Sequence, residues 1–553
     1  MGFADLLEQV GSTGRFQVVH VTLLSLPILM MASHNLLQNF VAAVPPHHCA
    51  AHANLSEPTI GPAEILRISV PLDKQGKPER CRRYAQPQWH LLMSNISAEV
   101  EEDSEVEMQR CEDGWKYDTS EISSTVITEW DLVCDLRSLK QMGQTIYMGG
   151  VLLGAVVFGG LSDRYGRRVL LMISYLLMAV SGTCIAFSTS FSLFCLFRFI
   201  NGMALSGIIL NSFSLIVEWI PTRIRTIVGT GTSYCYTMGQ LILAGVAYNI
   251  QDWRWLTLAV SLPFYIFFLY SWWFLESARW LVLTRKSEQA VKNLKSVARC
   301  NNRQSEGDKI NLEMLEESMK KEMSCSHNTY SVVDLLRTRT MRTITLCLSV
   351  VWFSTSFAYY GLAMDLQKFG VNIYLIQVIF GAVDIPAKVV ITMMMSKIGR
   401  RLSQSLSLII AGVTMLIMLL VPNEMQTLRT SLAVVGKGCL AASFSCCYLY
   451  SGELYPTVIR QNGMGWVSMM ARFGAMVAPM VLLAEAVVWL PGLIYGGAPI
   501  VSGIFAYFLP ETLATPLPDT IQDAEERSNF RQASKREEVA LKDTSGTLLN
   551  KCA

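Results

Sequence analysis

Three cationic side chains interrupt long apolar segments in the second half of the chain: Lys388, Lys437 and Arg472. Each segment has the roughly 20 apolar residues that a membrane helix requires. A charge at the centre of such a helix costs roughly 2.5–3.5 kcal/mol, so these side chains are expected to face water or a partner of opposite charge. Together they predict a positively charged site within a membrane, which suits the binding of an anion.

The three cations differ in their neighbours along the sequence. Asp384 lies one turn before Lys388, so an internal ion pair and direct contact with a ligand are both compatible with this spacing. Lys437 lies between two glycines, where helix packing with an extended side chain is the alternative to binding. Arg472 has no acidic residue within a helical turn. Its planar guanidinium is the first candidate for holding a carboxylate or sulfate through two parallel hydrogen bonds.

Aromatic and neutral polar side chains accompany the cations. Aromatic rings would line an apolar slot with a few hydroxyl donors, although core packing is the alternative for any single ring. Asn35 and Asn39, one turn apart, would add neutral hydrogen bonds. The aromatic candidates are Tyr234, Tyr236, Trp352, Phe353, Tyr359, Tyr360, Phe444 and Tyr448.

Twelve apolar segments long enough to cross a bilayer must position these residues. In the first half they are Val18–Phe40, Gln141–Leu161, Val169–Ser188, Phe191–Trp219, Ile227–Ile250 and Trp255–Leu275. In the second half they are Thr343–Met364, Ile373–Ser396, Leu402–Val421, Leu428–Gly452, Asn462–Ala484 and Trp489–Leu509. Only 16% of the residues are charged, against about 25% in soluble domains, so the class is an all-α membrane protein. The net charge of +2 gives no indication of a nucleic-acid partner.

Short polar motifs recur in the two halves in one register. The pattern E-x-x-P-T-x-I-R begins at Glu218 and again at Glu453, and Gly-Arg-Arg begins at Gly166 and again at Gly399. Because apolar segments fill the space between these motifs, the repeat unit is a bundle of membrane helices. Two such bundles in one chain are the architecture of a transporter in which one half rocks against the other.

Basic residues in the short loops predict the orientation of the chain. They cluster after the even-numbered segments, which places both termini in the cytosol, and the first segment is predicted to be retained. The predicted domains are a bundle at 1–275 with an external loop at 45–139, a cytosolic linker with amphipathic helices at 276–342, a second bundle at 343–509 and a disordered cytosolic tail at 510–553.

The external loop carries its own chemistry. It contains two N-x-S sequons, at Asn54 and Asn95, which are predicted to be glycosylated. Four cysteines outside a cell predict two disulfides with three possible pairings. A metal site at His47-His48-Cys49 is the weaker alternative, because no second ligand pair has zinc-like spacing. The loop cysteines are Cys49, Cys81, Cys111 and Cys134.

The segment GGLSDRYGRR at 159–168 resembles the signature between helices 2 and 3 of the major facilitator superfamily. The resemblance implies a charge latch that holds helix ends together in one state and releases them in another. Helix capping with surface ion pairs of about 0–1 kcal/mol each is the alternative. The predicted latch residues are Asp163, Arg164, Arg167, Glu218, Arg225, Glu453 and Arg460.

Further motifs resemble the organic ion transporters of solute carrier family 22. They are FVAAVP at 40–45, TEWDLVC at 128–134, ESARWL at 276–281 and LPET at 509–512. Within that family, SFAYYG at 356–361, FGAVDIPAK at 380–388 and GKGCL at 436–440 are similar to the organic anion transporters. The resemblance covers essentially residues 1–525.

The resemblance also implies a function and assigns site residues. Position 472 carries an arginine in the anion transporters and an acidic residue in the cation transporters of the family. Tyr236, Tyr360, Phe444 and Tyr448 match positions that the family uses for substrate. The implied activity is exchange of amphipathic organic anions for an intracellular dicarboxylate, such as 2-oxoglutarate or glutarate, across the plasma membrane without a cofactor.

Other classes of function remain as alternatives. A cation or zwitterion transporter of the same family, a receptor and a channel are all compatible with the apolar segments. A membrane enzyme would need clustered catalytic or metal-binding groups at membrane depth, and the spacing of the seven histidines provides none. A phosphate-binding loop of the G-x-x-x-x-G-K-[ST] type is also absent from the sequence, which argues against a nucleotide-driven pump.

Overall fold

The computed structural model describes most of the chain. The described residues are 3–11, 13–51, 61–73, 76–89, 91, 106–325, 333–364, 366–422, 424–456, 459–482, 489–513, 515, 518, 521–522 and 524–526. The predicted glycosylation sites Asn54 and Asn95 and most of the predicted tail lie outside these residues.

Twelve long helices form the body of the described structure. Those of the first half are α1 (Arg15–Leu36), α2 (Ser138–Tyr165), α3 (Arg167–Ala186), α4 (Phe191–Trp219), α5 (Thr222–Asn249) and α6, which consists of Trp253–Ser261 and Pro263–Tyr270. Those of the second half are α7 (Arg339–Ala363), α8 (Ile373–Lys397), α9 (Arg400–Leu420), α10 (Gln426–Leu454), α11 (Arg460–Val481) and α12 (Leu490–Tyr507). The prediction of twelve membrane helices in two halves is confirmed. The break in α6 coincides with Pro263, which has no backbone N–H to continue the helix.

Eleven of these helices have the length and hydropathy of membrane spans within the described residues. The exception is α5, which is 28 residues long but carries many polar side chains. Ser233, Tyr236, Thr237 and Gln240 all hydrogen-bond to residues outside α5. The side chains of Thr237 and Gln240 make these bonds with the second half, where α5 packs on α8.

The outer faces of the bundles are apolar. Val156, Ile266 and Leu269 each expose more than 60% of their surface. Exposed apolar side chains on many helices at once are typical of a surface that faces lipid. In the first half α2 and α3 both pack on α4, in the second half α9 packs on α12 and α7 packs on α11, and the halves meet at α2–α11 and α5–α8.

A carboxylate caps the same helix position in each half. The Glu276 carboxylate accepts from the backbone N–H groups of Arg167 and Arg168 at the start of α3, at 3.2 and 3.0 Å. A negative charge is favourable there because the first N–H groups of a helix have no partner within it. Gly166 precedes α3 with φ = 101°, and a Cβ there would clash with this carboxylate.

The second half repeats this cap at the start of α9. Glu511 accepts from the backbone N–H groups of Arg400 and Arg401 at 2.9 and 3.0 Å, beside Gly399 with φ = 106°. Burial raises the pKa of Glu511, but the backbone N–H donors outweigh that effect and hold the pKa of this carboxyl below its usual range. The recurrence of Gly-Arg-Arg in the sequence thus reflects a repeated cap.

The segment between α1 and α2 forms a small unit outside the helix bundles. We call the end of the bundles where this unit lies the loop face. Its strands are β1 (His47–Cys49), β2 (Arg82–Tyr84), β3 (Met108–Arg110) and β4 (Trp115–Tyr117). Strand β1 pairs antiparallel with β4, and β2 pairs antiparallel with β3. Helical turns lie at Gln38–Val41, Pro62–Ser69, Val126–Glu129 and Cys134–Leu136.

Disulfides link this unit internally, and Glu129 attaches it to the first half. The predicted pair of disulfides is present as Cys49–Cys111 and Cys81–Cys134. Because Cys49 is paired in this way, the alternative of a metal site at His47-His48-Cys49 is wrong. Glu129 accepts from the indole N–H of Trp253 at 2.8 Å and also pairs with Arg254.

Short helices cover the opposite end of the first half, which we call the linker face. They are Phe3–Val10, Ala278–Leu283, Ser287–Cys300, Gln304–Asp308 and Leu312–Cys325, with a short turn at Ser271–Trp273. The short helix Asp334–Arg337 packs against α7, and the turn Leu366–Phe369 follows the opposite end of α7, at the loop face. Asn301 attaches the linker to the start of α1 and to the residue Gly11 before it: its Nδ2 donates to Gly11 O at 2.9 Å, and its Oδ1 accepts from Phe16 N–H at 2.9 Å.

The disulfide pairing predicts a definite peptide map. Digestion without reduction, after free thiols are blocked, should yield Cys49 linked to Cys111 and Cys81 linked to Cys134, as measured by mass spectrometry. In the Cys81→Ser variant, Cys134 should become open to alkylation while the Cys49–Cys111 peptide persists. Cys300 is exposed and unpaired, so its alkylation serves as the control in every sample. A peptide linking Cys49 to Cys81 would contradict the fold of the loop.

Candidate functional site

Asn35 joins the two halves at the centre of the molecule. Its Nδ2 donates to the hydroxyl of Tyr236 on α5 at 2.9 Å and to that of Tyr360 on α7 at 3.2 Å. Its Oδ1 accepts from the hydroxyl of Tyr147 on α2 at 3.3 Å. Three of the predicted site residues, one each from α1, α5 and α7, are thus in direct contact.

Arg472 on α11 lies beside this group. Its guanidinium interacts electrostatically with the hydroxyls of Tyr448 and Tyr360, and its Nη1 donates to Ser468 Oγ at 3.0 Å. Among the described residues it has no carboxylate partner. We refer to Asn35, Tyr236, Tyr360, Tyr448 and Arg472 as the central cluster.

The central cluster borders open space. Tyr448 belongs to the interior of the second half, yet 56% of its surface is accessible. Its ring packs edge-on against Trp352, with centroids 4.6 Å apart. The indole N–H of Trp352 donates to Ser451 Oγ at 2.8 Å, which fixes the ring. The accessible face of Tyr448 therefore lies beside a fixed aromatic ring and an arginine without a carboxylate partner among the described residues.

The remaining aromatic candidates pack beside these rings or behind them. Phe444 packs on Trp352 and on Tyr359, at centroid distances of 6.2 and 5.2 Å. Phe353 stacks on Phe357 at 5.8 Å on another side of α7. Tyr359 is buried and receives a hydrogen bond from Lys437 at 3.0 Å.

Lys437 forms a buried ion pair. Its Nζ lies 2.9 and 3.1 Å from the two carboxylate oxygens of Asp384, and the two side chains are only 1% and 3% exposed. Of the two alternatives for Lys388, the direct ion pair with Asp384 on the same helix is therefore wrong. The carboxylate instead reaches across to α10, where Lys437 is more deeply buried and its charge is more costly to leave unpaired. The alternative of a side chain extending from a packing site toward the membrane interface is also wrong for Lys437.

Lys388 contacts the opposite half through neutral groups. Its Nζ donates to Ser233 O at 2.9 Å and to Thr237 Oγ1 at 2.8 Å, both on α5, and it lies 5.5 Å from the ring of Tyr234. Lys388 is thus a cation at the contact between α5 and α8 whose direct hydrogen-bond acceptors carry no charge.

A second set of contacts closes the two halves at the loop face. The Nδ2 of Asn39 donates to Ala363 O at 2.9 Å. The side-chain amide of Gln367 accepts from Val44 N–H at 2.9 Å and donates to Val44 O at 3.0 Å. The predicted ligand-binding residue Asn39 is therefore engaged in a contact between the halves in this conformation.

Three of the predicted latch residues of the first half, Asp163, Arg167 and Glu218, meet at the linker face. Arg167 lies 3.1 Å from Asp163 and 3.6 Å from Glu218, so one guanidinium links the ends of α2, α3 and α4. Arg164 faces the ring of Tyr165 at 5.5 Å instead. Arg225 donates to a backbone carbonyl, that of Ile220, at 3.3 Å.

The second half repeats part of this arrangement. Glu453 pairs with Arg400 at 3.1 Å. Arg460 donates to Tyr455 O, five residues earlier, at 3.2 Å, just as Arg225 donates to Ile220 O in the first half. Arg400 was missed among the predicted latch residues, although it occupies the second Gly-Arg-Arg motif. Asp163 has no acidic counterpart, because Ser396 lies at the equivalent position three residues before Gly399.

One buried cation of the first half was also missed. Arg198 on α4 is 1% exposed, and its guanidinium lies 4.1 Å from the ring centroid of Tyr147. It donates weakly to the side-chain oxygens of Gln144 and Gln38 at 3.3 and 3.5 Å. The signal was present in the sequence, since Arg198 lies within the apolar segment Phe191–Trp219.

Sequence similarity to known proteins shows which family the chain belongs to. The model of the family "Sugar (and other) transporter" matches residues 96–522. Solute carrier family 22 member 6 of Danio rerio is 72% identical over 99% of both chains, and member 6-A of Xenopus laevis is 56% identical over 99% of this chain and 98% of its own. This chain belongs to solute carrier family 22. Member 20 of Mus musculus, at 50% identity over 99% of both chains, is a further relative in the family.

Solved structures confirm the fold. The inward-open xylose transporter XylE from E. coli superimposes with a TM-score of 0.60 at 16% identity, over 92% of this chain and 99% of the transporter. A D-xylose–proton symporter structure gives a TM-score of 0.56 over 90% of this chain and 98% of its own. The chain is thus a multi-pass membrane transporter of the major facilitator superfamily, and its solute-carrier relatives rule out the alternative of an enzyme.

The buried ion pair predicts a characteristic pattern of stabilities. Removing one partner, in Lys437→Met or Asp384→Asn, should destabilise the protein by about 3–5 kcal/mol because the other charge remains buried. The double variant should recover most of this loss, and Lys388→Met, which breaks no direct ion pair, is the matched control. Thermal unfolding in detergent and the amount of protein at the cell surface measure both effects. Losses in the double variant equal to the sum of the single losses would contradict the pairing.

Proposed function

We propose that the protein exchanges amphipathic organic anions for a dicarboxylate by alternating access across the plasma membrane. The observation that carries this proposal is the central cluster, in which Arg472 has no carboxylate partner among the described residues and lies beside Tyr448, whose surface is 56% accessible. A transporter of cations would gain nothing from an unpaired guanidinium at this position.

The chemistry of the cluster suits an amphipathic anion. The guanidinium can hold a carboxylate or sulfate through two parallel hydrogen bonds, which offsets part of the cost of removing the anion from water. The rings of Tyr448 and Trp352 supply an apolar surface for the organic part of the substrate. Tyr236 and Tyr360 accept from Asn35, so their hydroxyl hydrogens remain available for each other or for an anion.

The distribution of cations supports a doubly charged counter-ion. Asp384 pairs with Lys437, which leaves Lys388 and Arg472 without a direct carboxylate partner among the described residues. A dicarboxylate carries two charges and would compensate both cations. Lys388 can release its neutral acceptors Ser233 and Thr237 more readily than it could release a carboxylate. Lys437 acts in this scheme as a support that holds Asp384 away from Lys388.

Alternating access follows from the two bundles. We infer that the linker face is cytosolic, with both termini on that side, because basic residues concentrate there. The contacts of Asn39 and Gln367 would close the external side, and the latch of Asp163, Arg167 and Glu218 would change when the cytosolic side closes. The organic anions, the dicarboxylate and the surrounding lipid are then the partners of the protein.

Countertransport tests the proposed function. Cells that express the protein should take up labelled p-aminohippurate or estrone sulfate faster when they are preloaded with glutarate, because an exchanger is limited by return of its counter-ion. Preloading with an uncharged solute of similar size is the control, and labelled tetraethylammonium tests the alternative of a cation transporter. Anion uptake that is saturable but unaffected by every preloaded dicarboxylate would refute exchange, and current without trans-stimulation would indicate a channel.

Variants of Arg472 test the assignment of the anion site. Arg472→Asp should abolish anion uptake, because it replaces attraction by repulsion where the dielectric constant is low. Arg472→Lys keeps the charge but loses the planar pair of donors, so glutarate stimulation should fall more than basal uptake. Both measurements are normalised to surface protein, and Ser468→Ala, which removes only the hydrogen-bond acceptor of Arg472, should have a small effect. Glutarate-stimulated uptake by Arg472→Asp at the wild-type rate would exclude Arg472 as the anion site.

A further inference from the structure

Arg198 is the buried cation that the proposed function leaves unexplained. It is 1% exposed and contacts no carboxylate among the described residues. Its Nε and Nη1 have no hydrogen-bond partner in the described structure. Placing an unpaired guanidinium in an apolar bundle is costly, so retaining it implies that the charge or the planar group acts on a neighbour.

The neighbour that Arg198 holds most closely is Tyr147. The guanidinium lies 4.1 Å from the ring centroid, and Tyr147 is fully buried. A planar guanidinium over an aromatic face gains electrostatic attraction and stacking, and the gain is larger where water is excluded. The side chains of Gln38 and Gln144 hold the other edge of the guanidinium through their oxygens. The ring of Tyr147 therefore has one fixed position.

The hydroxyl of Tyr147 in turn fixes Asn35. It donates to Asn35 Oδ1 at 3.3 Å, which leaves Asn35 Nδ2 to face Tyr236 and Tyr360. An amide rotated by 180° would present its NH2 group to Tyr147 and leave that hydroxyl without an acceptor. The orientation of Asn35 is therefore set by a contact on the side away from the second half.

Tyr360 connects this chain of contacts to the anion site. Its hydroxyl accepts from Asn35 and interacts electrostatically with Arg472. A path of contacts thus runs from Arg198 in the first half through Tyr147 and Asn35 to Tyr360 and Arg472 in the second half. Arg198 and Tyr147 need not touch the substrate to act along this path.

We propose that Arg198 is a positioning residue for anion binding, which acts by stacking on Tyr147 so that the Asn35 amide holds the Tyr236 and Tyr360 hydroxyls toward the bound anion. This inference rests on the proposed function. It assigns to α4 a role in substrate affinity, although the ring and the two amides that contact Arg198 all belong to the first half.

The test compares saturation of p-aminohippurate uptake among variants at equal surface protein. Tyr147→Phe keeps the ring under Arg198 but removes the hydroxyl. It should raise the half-saturation concentration about three- to tenfold, as expected for one lost hydrogen bond, and leave the maximal rate nearly unchanged. Arg198→Lys keeps the charge but not the planar stack, so it should show a smaller increase in the same constant. Tyr175→Phe, at another fully buried tyrosine of the first half, is the matched control and should leave half-saturation unchanged.

A double variant separates positioning from general stabilisation. If Arg198 acts through Tyr147, adding Arg198→Met to Tyr147→Phe should raise the half-saturation concentration little beyond the effect of Tyr147→Phe alone. Thermal stabilisation of the purified protein by p-aminohippurate provides a second measure of affinity, which does not depend on transport rate.

The outcomes distinguish this inference from the proposed function. Wild-type uptake with an unchanged half-saturation concentration in Tyr147→Phe, or a fully wild-type Arg198→Lys, would overturn the positioning role alone. Lower surface protein in every Arg198 variant with unaltered half-saturation would show a merely structural role and would also overturn it. Absence of saturable anion uptake and of stabilisation by the anion in the wild type would overturn the proposed function, and this inference with it.

Discussion

The cost of placing a positive charge among apolar helices governs the interior of this protein. Four cations within the helices, three of them buried, meet that cost in different ways. Lys437 has a carboxylate, Asp384, in direct contact, whereas Lys388 has two neutral acceptors on the opposite half. Arg198 has an aromatic face, and Arg472 has a single serine hydroxyl and nearby tyrosines. The least compensated of these cations is also the one beside accessible space, which is where an anionic ligand would lower the free energy most.

The ends of the helices show how the two halves can move without losing their internal order. Glu276 and Glu511 each accept from the first two backbone N–H groups of a helix in the same half, so these caps are independent of how the halves are arranged. Several contacts that join the halves are of another kind, since Asn35, Asn39 and Gln367 use uncharged amides, whereas the ammonium of Lys388 donates across the halves to Ser233 and Thr237. Neutral hydrogen bonds contribute only about 0.5–1.5 kcal/mol each, so they can be exchanged for water during a conformational change.

Much of this arrangement could be predicted from the sequence, because the membrane restricts what an apolar segment can do. Segment length gave the twelve helices, and the repeated motifs gave the two halves. The partner of Asp384 could not be predicted, since the spacing to Lys388 describes one helix while the contact that forms lies between two helices. The pairing of Cys49 with Cys111 likewise depends on strand pairing in the loop, which four cysteines alone do not encode. Arg198 was visible as a charge in an apolar segment, but its effect depends on the ring of Tyr147 on another helix.

The contact between Gln367 and Val44 has an evolutionary consequence. Gln367 recognises both the N–H and the carbonyl of Val44, in the manner of a neighbouring β-strand, and ignores its side chain. Asn39 likewise recognises only the carbonyl of Ala363. The residues at positions 44 and 363 can therefore be replaced in evolution by others that adopt the same backbone conformation. Such replacements require no compensating substitution at Gln367 or Asn39. Contacts between side chains can be detected in a comparison of relatives through correlated substitutions. The contacts of Gln367 and Asn39, which close the transporter at the loop face, would not be detected in that way.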